Sequence, residues 1–119
     1  MPKLLLVDDG EANRWTLSAL LEDEGFEVDT AGSFSEARAL LAAGEPRYDV
    51  ALLDLHLGDG LGANLVPLLR ARHPEAKVVM MSGCIGEEPL SEPVDGCFQK
   101  AEDFSALVEL LDRVRDGRG

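Results

Sequence analysis

Five polar residues that could do chemistry stand directly after short apolar runs of this sequence. In chain order they are Asp8, Asp9, Asp54, Ser82 and Lys100. Three carboxylates that meet at one place repel one another unless a cation lies among them, and oxygen ligands suit a hard divalent ion such as Mg²⁺. A carboxylate beside such an ion, a hydroxyl and an ammonium group is suited to attack phosphorus. The residue types therefore indicate the formation of an aspartyl phosphate on one of these carboxylates.

The segments between these residues alternate between strand and helix patterns. Short apolar runs, and an alternating segment at residues 26–30, predict five strands, and leucine stripes at three- and four-residue spacing predict helices between them. The strands are expected at residues 3–7, 26–30, 48–53, 77–81 and 94–99. This alternation predicts an α/β fold with a doubly wound parallel sheet. In such folds ligands bind at the carboxyl ends of the strands, which is where the five polar residues stand.

Two local signals mark helix ends. Gly25 is placed as the glycine that ends the first helix. Ser33, with Glu36 three residues later, predicts a capping box at the start of the second helix.

Size and charge restrict the class of protein. The 119 residues fit a single domain, so we interpret residues 1–119 as one unit. The net charge of −12 repels a phosphate backbone, so we expect protein partners and no direct binding of nucleic acid. No apolar run has the length of a membrane span and no signal peptide precedes the first strand, so we expect no membrane contact and a cytoplasmic location.

The two cysteines, Cys84 and Cys97, lack the spacing of a metal site. We expect both thiols to be reduced and buried, as is usual in cytosolic proteins. A redox switch that pairs the two sulfurs is the alternative.

Four motifs, spread over essentially the whole chain, resemble the receiver domains of bacterial response regulators. They are LLLVDD at residues 4–9, ALLDLHLGDGLG at 51–62, VVMMSG at 78–83 and CFQK at 97–100. The resemblance implies a flavodoxin-like sheet with strand order 2-1-3-4-5. It also implies that Asp54 accepts a phosphoryl group from a histidine kinase or a phosphotransfer protein.

The same resemblance implies roles for the other site residues. Asp9 would bind Mg²⁺ directly and Asp8 through water, with Asp54 and the backbone carbonyl of His56 as further ligands. Ser82 would be the switch hydroxyl, and Lys100 would pair with the phosphoryl group. Phosphorylation would drive a conformational switch that controls a downstream protein target. Such a domain catalyses only its own phosphorylation and dephosphorylation, so we do not expect a turnover enzyme.

Three features depart from the pattern of that family. Ala101 replaces the proline that usually follows the lysine, and Cys97 stands where an aromatic residue is usual, with Phe98 expected on the opposite sheet face. Residues 83–99, which are 17 residues and include two prolines, predict a short or missing fourth helix. These departures leave an alternative function open, a receiver-like interaction module whose signalling does not depend on phosphorylation.

Two other classes with a similar sheet fit less well. A haloacid-dehalogenase-type phosphatase needs a second aspartate two residues after its nucleophile, where this chain has His56. A flavodoxin needs a glycine- and hydroxyl-rich phosphate loop after its first strand, where this chain has DDGEAN. We interpret His56 as a solvent-facing residue beside the phosphorylation site that influences how quickly water removes the phosphoryl group.

Overall fold

A central sheet of five parallel strands organises the molecule. The computed structural model describes residues 2–43, 47–82, 94–99 and 103–115, with the backbone alone at Ser82, Gln99 and Arg115. The strands are β1 (Lys3–Val7), β2 (Glu27–Ala31), β3 (Val50–Asp54), β4 (Lys77–Ser82) and β5 (Gly96–Gln99). Their order across the sheet is β2-β1-β3-β4-β5, and each neighbouring pair is parallel. The predicted flavodoxin-like order 2-1-3-4-5 is confirmed.

Four helices are described, and they pack on both faces of the sheet. They are α1 (Glu11–Asp23), α2 (Phe34–Ala42), α3 (Val66–Arg72), which follows a 3₁₀ turn at Gly62–Leu65, and α4 (Phe104–Arg115), which follows β5. The helix predicted to be short or missing between β4 and β5 belongs to residues 83–96, of which 83–93 lie outside the described residues and 94–96 are not helical. Within the described parts of the chain, no helix is both long and apolar enough to cross a membrane.

Side chains of the inner strands alternate between two hydrophobic cores. In β1, Leu5 and Val7 pack with residues of α2 and α3, whereas Leu4 and Leu6 pack with residues of α1 and α4. Residues 50–53 of β3 repeat this alternation, and no side chain of either set is exposed. Strands that are covered on both faces need a continuous apolar sequence, which explains the runs LLLV and VALL.

The predicted glycine after the first helix and the predicted Ser33 cap are confirmed, whereas the capping box is formed only in part. Gly25 has a positive φ of 96°, which suits a glycine just after a helix. The Oγ of Ser33 accepts a hydrogen bond of 3.1 Å from the Glu36 N–H, as expected for the residue that caps α2. The Glu36 carboxylate accepts from the N–H of Gly32, one residue earlier than in a standard capping box.

A short antiparallel hairpin, which the sequence pattern did not predict, connects β3 to the 3₁₀ turn. His56–Leu57 pairs with Gly60–Leu61 around a two-residue turn, and we call residues 56–61 the 56–61 hairpin. The N–H of Gly62 donates to the Leu55 carbonyl at 2.7 Å and closes the base of this hairpin.

Polar contacts connect the elements at the amino ends of the strands. The Lys3 ammonium lies 3.2 Å from the Asp29 carboxylate, which in turn accepts a hydrogen bond of 2.9 Å from the Tyr48 hydroxyl. The Tyr48 N–H donates to Nδ1 of His73 at 3.4 Å, and the side chains of Tyr48 and His73 are both buried. We call Lys3, Asp29, Tyr48 and His73 the amino-edge network.

Cys97 is exposed, so the prediction of a buried thiol is wrong for this residue. β5 is an edge strand, and its Phe98 packs into the core beside α4. Cys97 points to the opposite face, where its side chain reaches solvent. Cys84 lies outside the described residues.

Candidate functional site

Asp8 and Asp54 continue the alternation of β1 and β3 and emerge on one face of the sheet. Leu6 of β1 is the Cα partner of Leu52 in β3, and the two aspartates stand two residues further along their strands. Because side chains alternate with a period of two, Asp8 and Asp54 point the same way as these leucines. Their side chains are buried, with exposed fractions of 1% and 4%.

Asp9 completes an acidic cluster at this edge. One carboxylate oxygen from each of Asp8, Asp9 and Asp54 can be chosen so that all three lie within 4.8 Å of one another. Asp9 is exposed, unlike the other two. An oxygen-only donor set of three carboxylates is the kind of site that could hold a hard divalent cation. The structure thus brings together three of the residues that the sequence singled out.

The carboxylate of Asp8 is held in place by its neighbours. Its Oδ1 accepts a hydrogen bond of 2.8 Å from the Gly10 N–H, and its Oδ2 accepts a short one from the Asn13 amide. The Arg14 guanidinium donates to the main-chain carbonyl of Asp8 at 2.8 Å. Asn13 and Arg14 were not predicted as site residues. The only signal for them is the short connection through Gly10, which places the first turn of α1 beside the end of β1.

The 56–61 hairpin lies beside the acidic cluster. The His56 N–H donates to Oδ1 of Asp54 at 3.3 Å, while the His56 side chain is exposed, as the solvent-facing interpretation required. A Cβ built on Gly58 would lie 4.0 Å from Oδ2 of Asp9. The hairpin backbone therefore contacts the carboxylate of Asp54, and a side chain at position 58 would reach that of Asp9.

The strand register indicates that the remaining candidates, Ser82 and Lys100, belong to the same edge of the sheet. Asp54 is the Cα partner of Met81, and Ser82 follows Met81 at the end of β4. Ser82 is in turn the partner of Gln99, the last residue of β5. The side chain of Ser82 and the whole of Lys100 and Ala101 lie outside the described residues, so their roles stay predictions.

A family model described as the response regulator receiver domain matches residues 4–112. The chain belongs to this family. The resemblance inferred from the four motifs is confirmed, and the chain is a receiver domain of the response regulator kind.

Two named relatives show how much of a longer protein this receiver domain corresponds to. The photosynthetic apparatus regulatory protein RegA of Cereibacter sphaeroides is 41% identical over 80 residues, which are 67% of this chain and 42% of RegA. The alginate biosynthesis transcriptional regulatory protein AlgB of Pseudomonas putida is 38% identical over 113 residues, which are 95% of this chain and 24% of AlgB. The receiver domain therefore spans less than half the length of these relatives.

Solved structures agree with the fold. A CheY-like receiver domain protein from Methanospirillum hungatei has a TM-score of 0.88 at 26% identity, over 99% of this chain and 96% of that one. The response regulator TrrA from Thermotoga maritima, solved in complex with Mg²⁺-BeF, has a TM-score of 0.82 at 27% identity, over 96% of this chain and 99% of that one.

Proposed function

We propose that this receiver domain accepts a phosphoryl group on Asp54 and changes conformation in response. The observation that carries the proposal is the acidic cluster, in which oxygens of Asp8, Asp9 and Asp54 lie within 4.8 Å of one another at the carboxyl edge of the sheet. Asp54 ends a fully buried strand, so its carboxylate is presented from a rigid element. A nucleophile needs such fixed geometry to attack phosphorus in line.

The resident ion would be Mg²⁺. Both carboxylate oxygens of Asp8 already accept hydrogen bonds, which suits contact with the ion through water. Asp9 is exposed and has no hydrogen bond to another described residue, which suits direct coordination together with Asp54 and the carbonyl of His56. When bound, the ion would offset the repulsion among the carboxylates and balance charge on the phosphoryl oxygens. The Mg²⁺-BeF complex of TrrA supports this choice of ion.

The remaining roles follow the family pattern. The Ser82 hydroxyl would donate a hydrogen bond to a phosphoryl oxygen, and the Lys100 ammonium would pair with the phosphoryl charge. The donor would be a histidine kinase or a phosphotransfer protein, and the output a downstream protein target in the cytoplasm. The names of RegA and AlgB, both regulatory proteins, support a role in control. The domain would act as a switch and not as a turnover enzyme.

Incubation with acetyl phosphate and Mg²⁺, followed by intact mass, tests the proposal. We expect the wild-type chain to gain one phosphoryl group, and EDTA or Asp54→Asn to prevent the gain. Asp23→Asn, an exposed aspartate at the end of α1, is the matched control and should be modified like the wild type. A wild-type chain that stays unmodified with Mg²⁺ would contradict the proposal and favour the phosphorylation-independent interaction module.

A further inference from the structure

Asp59, at the turn of the 56–61 hairpin, is bound to the amino end of α2. One of its carboxylate oxygens accepts a hydrogen bond of 2.8 Å from the Phe34 N–H. The other accepts from the N–H and the hydroxyl of Ser35, at 3.1 and 2.9 Å. Three hydrogen bonds thus join the loop that follows Asp54 to the first turn of a helix from a distant part of the sequence.

These bonds favour the ionised form of Asp59. The Phe34 N–H, and after it the groups of Ser35, lower the pKa of the Asp59 carboxyl below its usual range. An anion at the amino end of a helix also meets the positive end of the helix dipole. At neutral pH the contact is therefore a set of charge-assisted hydrogen bonds.

A second contact seats the same hairpin on α2. A Cβ built on Gly60 would lie 3.0 Å from the ring of Phe34, which is tighter than ordinary van der Waals contact. The hairpin backbone is thus packed closely against the first residue of α2. This contact is independent of the Asp59 carboxylate.

The other side of the hairpin faces the acidic cluster. The His56 N–H reaches Oδ1 of Asp54 at 3.3 Å, and the position of Gly58 approaches Oδ2 of Asp9. The 56–61 hairpin therefore bridges α2 and the cluster, and the bonds of Asp59 are its polar attachment to the helix.

We propose that Asp59 is a positioning residue of the phosphorylation site. Its bonds to α2 hold the hairpin so that the main chain of His56 stays beside Asp54 and can supply a carbonyl ligand to Mg²⁺. This inference rests on the proposed function, in which that carbonyl binds the ion. A carboxylate that only capped α2 would stabilise the helix and leave the affinity for Mg²⁺ unchanged.

Two variants separate these roles. Asp59→Ala removes the bonds between the hairpin and α2, whereas Ser33→Ala removes a hydrogen bond to Glu36 at the same helix end and leaves those of Asp59 in place. Mg²⁺ is titrated into each full chain by calorimetry, and the phosphorylation rate with acetyl phosphate is measured against Mg²⁺ concentration. We expect Asp59→Ala to weaken Mg²⁺ binding about tenfold, as is common when a residue that orients a metal ligand is lost. Ser33→Ala should bind Mg²⁺ like the wild type.

Asp59→Asn removes the charge of the carboxylate and keeps one of its two acceptor oxygens. The amide oxygen can still accept from the Phe34 N–H, whereas the amide nitrogen cannot accept from the Ser35 N–H, so we expect a Mg²⁺ affinity between those of Asp59→Ala and the wild type. Equal Mg²⁺ affinities for Asp59→Ala and Ser33→Ala would overturn the positioning role. A wild-type chain that binds Mg²⁺ but gains no phosphoryl group would overturn the proposed function alone, because the calorimetric comparison still decides the role of Asp59.

Discussion

Gly62 lies so close to the main chain of Asp54 that a Cβ on it would stand 2.0 Å from the Asp54 carbonyl oxygen. Gly62 does not have a positive φ, since Gly25 is the one residue with that conformation in the described ranges. Space, and not backbone conformation, therefore excludes a side chain at Gly62. The residue after the 56–61 hairpin must pack directly on the proposed phosphoacceptor.

Replacement of Gly62 by alanine should disturb both stability and chemistry. The added methyl group cannot be accommodated without moving the main chain of Asp54, so we expect Gly62→Ala to lower the free energy of unfolding by about 2 kcal/mol. Urea denaturation measures this change, and the rate of phosphorylation should fall as well. Gly25→Ala is the control for a glycine without close neighbours, since no atom lies within 4 Å of an added Cβ there. Its positive φ alone should lower the free energy of unfolding by about 1 kcal/mol, and phosphorylation should not change. A Gly62→Ala chain as stable as the wild type would contradict the close approach to Asp54.

Asn13 should help to set the affinity for Mg²⁺. Its amide holds Oδ2 of Asp8, so Asn13→Ala leaves that carboxylate less well oriented. We expect a loss of Mg²⁺ affinity of about tenfold, measured by titration calorimetry. Thr16→Ala, an exposed position on the same helix, should bind Mg²⁺ like the wild type. Equal affinities for the two variants would show that the Asn13 contact has no part in the site.

Tyr48, the single tyrosine of the chain, should resist ionisation in the folded state. Burial, and then the hydrogen bond and the negative charge of Asp29, raise the pKa of its hydroxyl above the usual 10.0. The unfolded chain therefore loses this proton first as the pH rises, so the stabilisation is present below about pH 10 and is lost above it. Tyrosinate absorbance should appear only together with alkaline unfolding. Ionisation near pH 10 without unfolding would contradict the burial of Tyr48.

Removal of the Tyr48 hydroxyl tests the same contact at neutral pH. Tyr48→Phe takes the donor from the carboxylate of Asp29, and we expect a loss of about 1.5 kcal/mol in the free energy of unfolding. Urea denaturation at pH 7 gives this value. In Asp29→Asn the amide oxygen can still accept the bond, so a smaller loss is expected there.

His73 should make stability depend on pH below neutrality. Burial lowers the pKa of its imidazole below the usual 6.5, the Arg47 charge adds to this, and the Leu41 carbonyl acts in the opposite direction. The unfolded chain then binds a proton more readily than the folded chain. The contribution of His73 to the free energy of unfolding is therefore fully present above about pH 6.5, where the imidazole is neutral in both states. It decreases as the pH falls below that value.

Substitution of His73 should flatten that dependence. His73→Leu cannot take up a proton, so its free energy of unfolding should fall less between pH 7 and pH 5 than that of the wild type. At pH 7 the variant should lose about 1 kcal/mol, because the Tyr48 N–H no longer has an acceptor in His73. His56→Gln, at the other histidine of the chain and with an exposed side chain, is the matched control. Parallel pH profiles for His73→Leu and the wild type would contradict this role.

The acidic cluster could be predicted from the sequence because the side-chain period of a strand and the register of parallel strands determine where its residues lie. The side-chain period of two carries the Leu4–Leu6 face on to Asp8, and the parallel register brings Asp54 alongside. The strand order followed from the resemblance and was confirmed. The Ser33 cap was predicted as well, because its contact with Glu36 spans only three residues, whereas the carboxylate of Glu36 bonds to Gly32 and not to Ser33.

Contacts between distant segments could not be predicted in this way. The glycines at positions 58, 60 and 62 indicated a turn. The close packing of Gly60 on Phe34 and of Gly62 on Asp54 depends on tertiary structure, which the local sequence does not predict. The bonds of Asp59 to α2 join residues 24 and 25 positions apart, with no local signal. Cys97 was expected to be buried because its residue type usually is, whereas its position on an edge strand left it exposed.

The amino-edge network and the acidic cluster lie at opposite ends of the strands, so the contacts that stabilise the fold there are separate from the proposed phosphorylation site. Its residues fasten strands and loops about one strand length, roughly 16 Å, away from the acidic cluster. Substitutions of Lys3 or Tyr48 should thus change the free energy of unfolding and leave the phosphorylation of Asp54 at the opposite edge unchanged. Stabilising substitutions in the amino-edge network should therefore leave the acidic cluster unchanged.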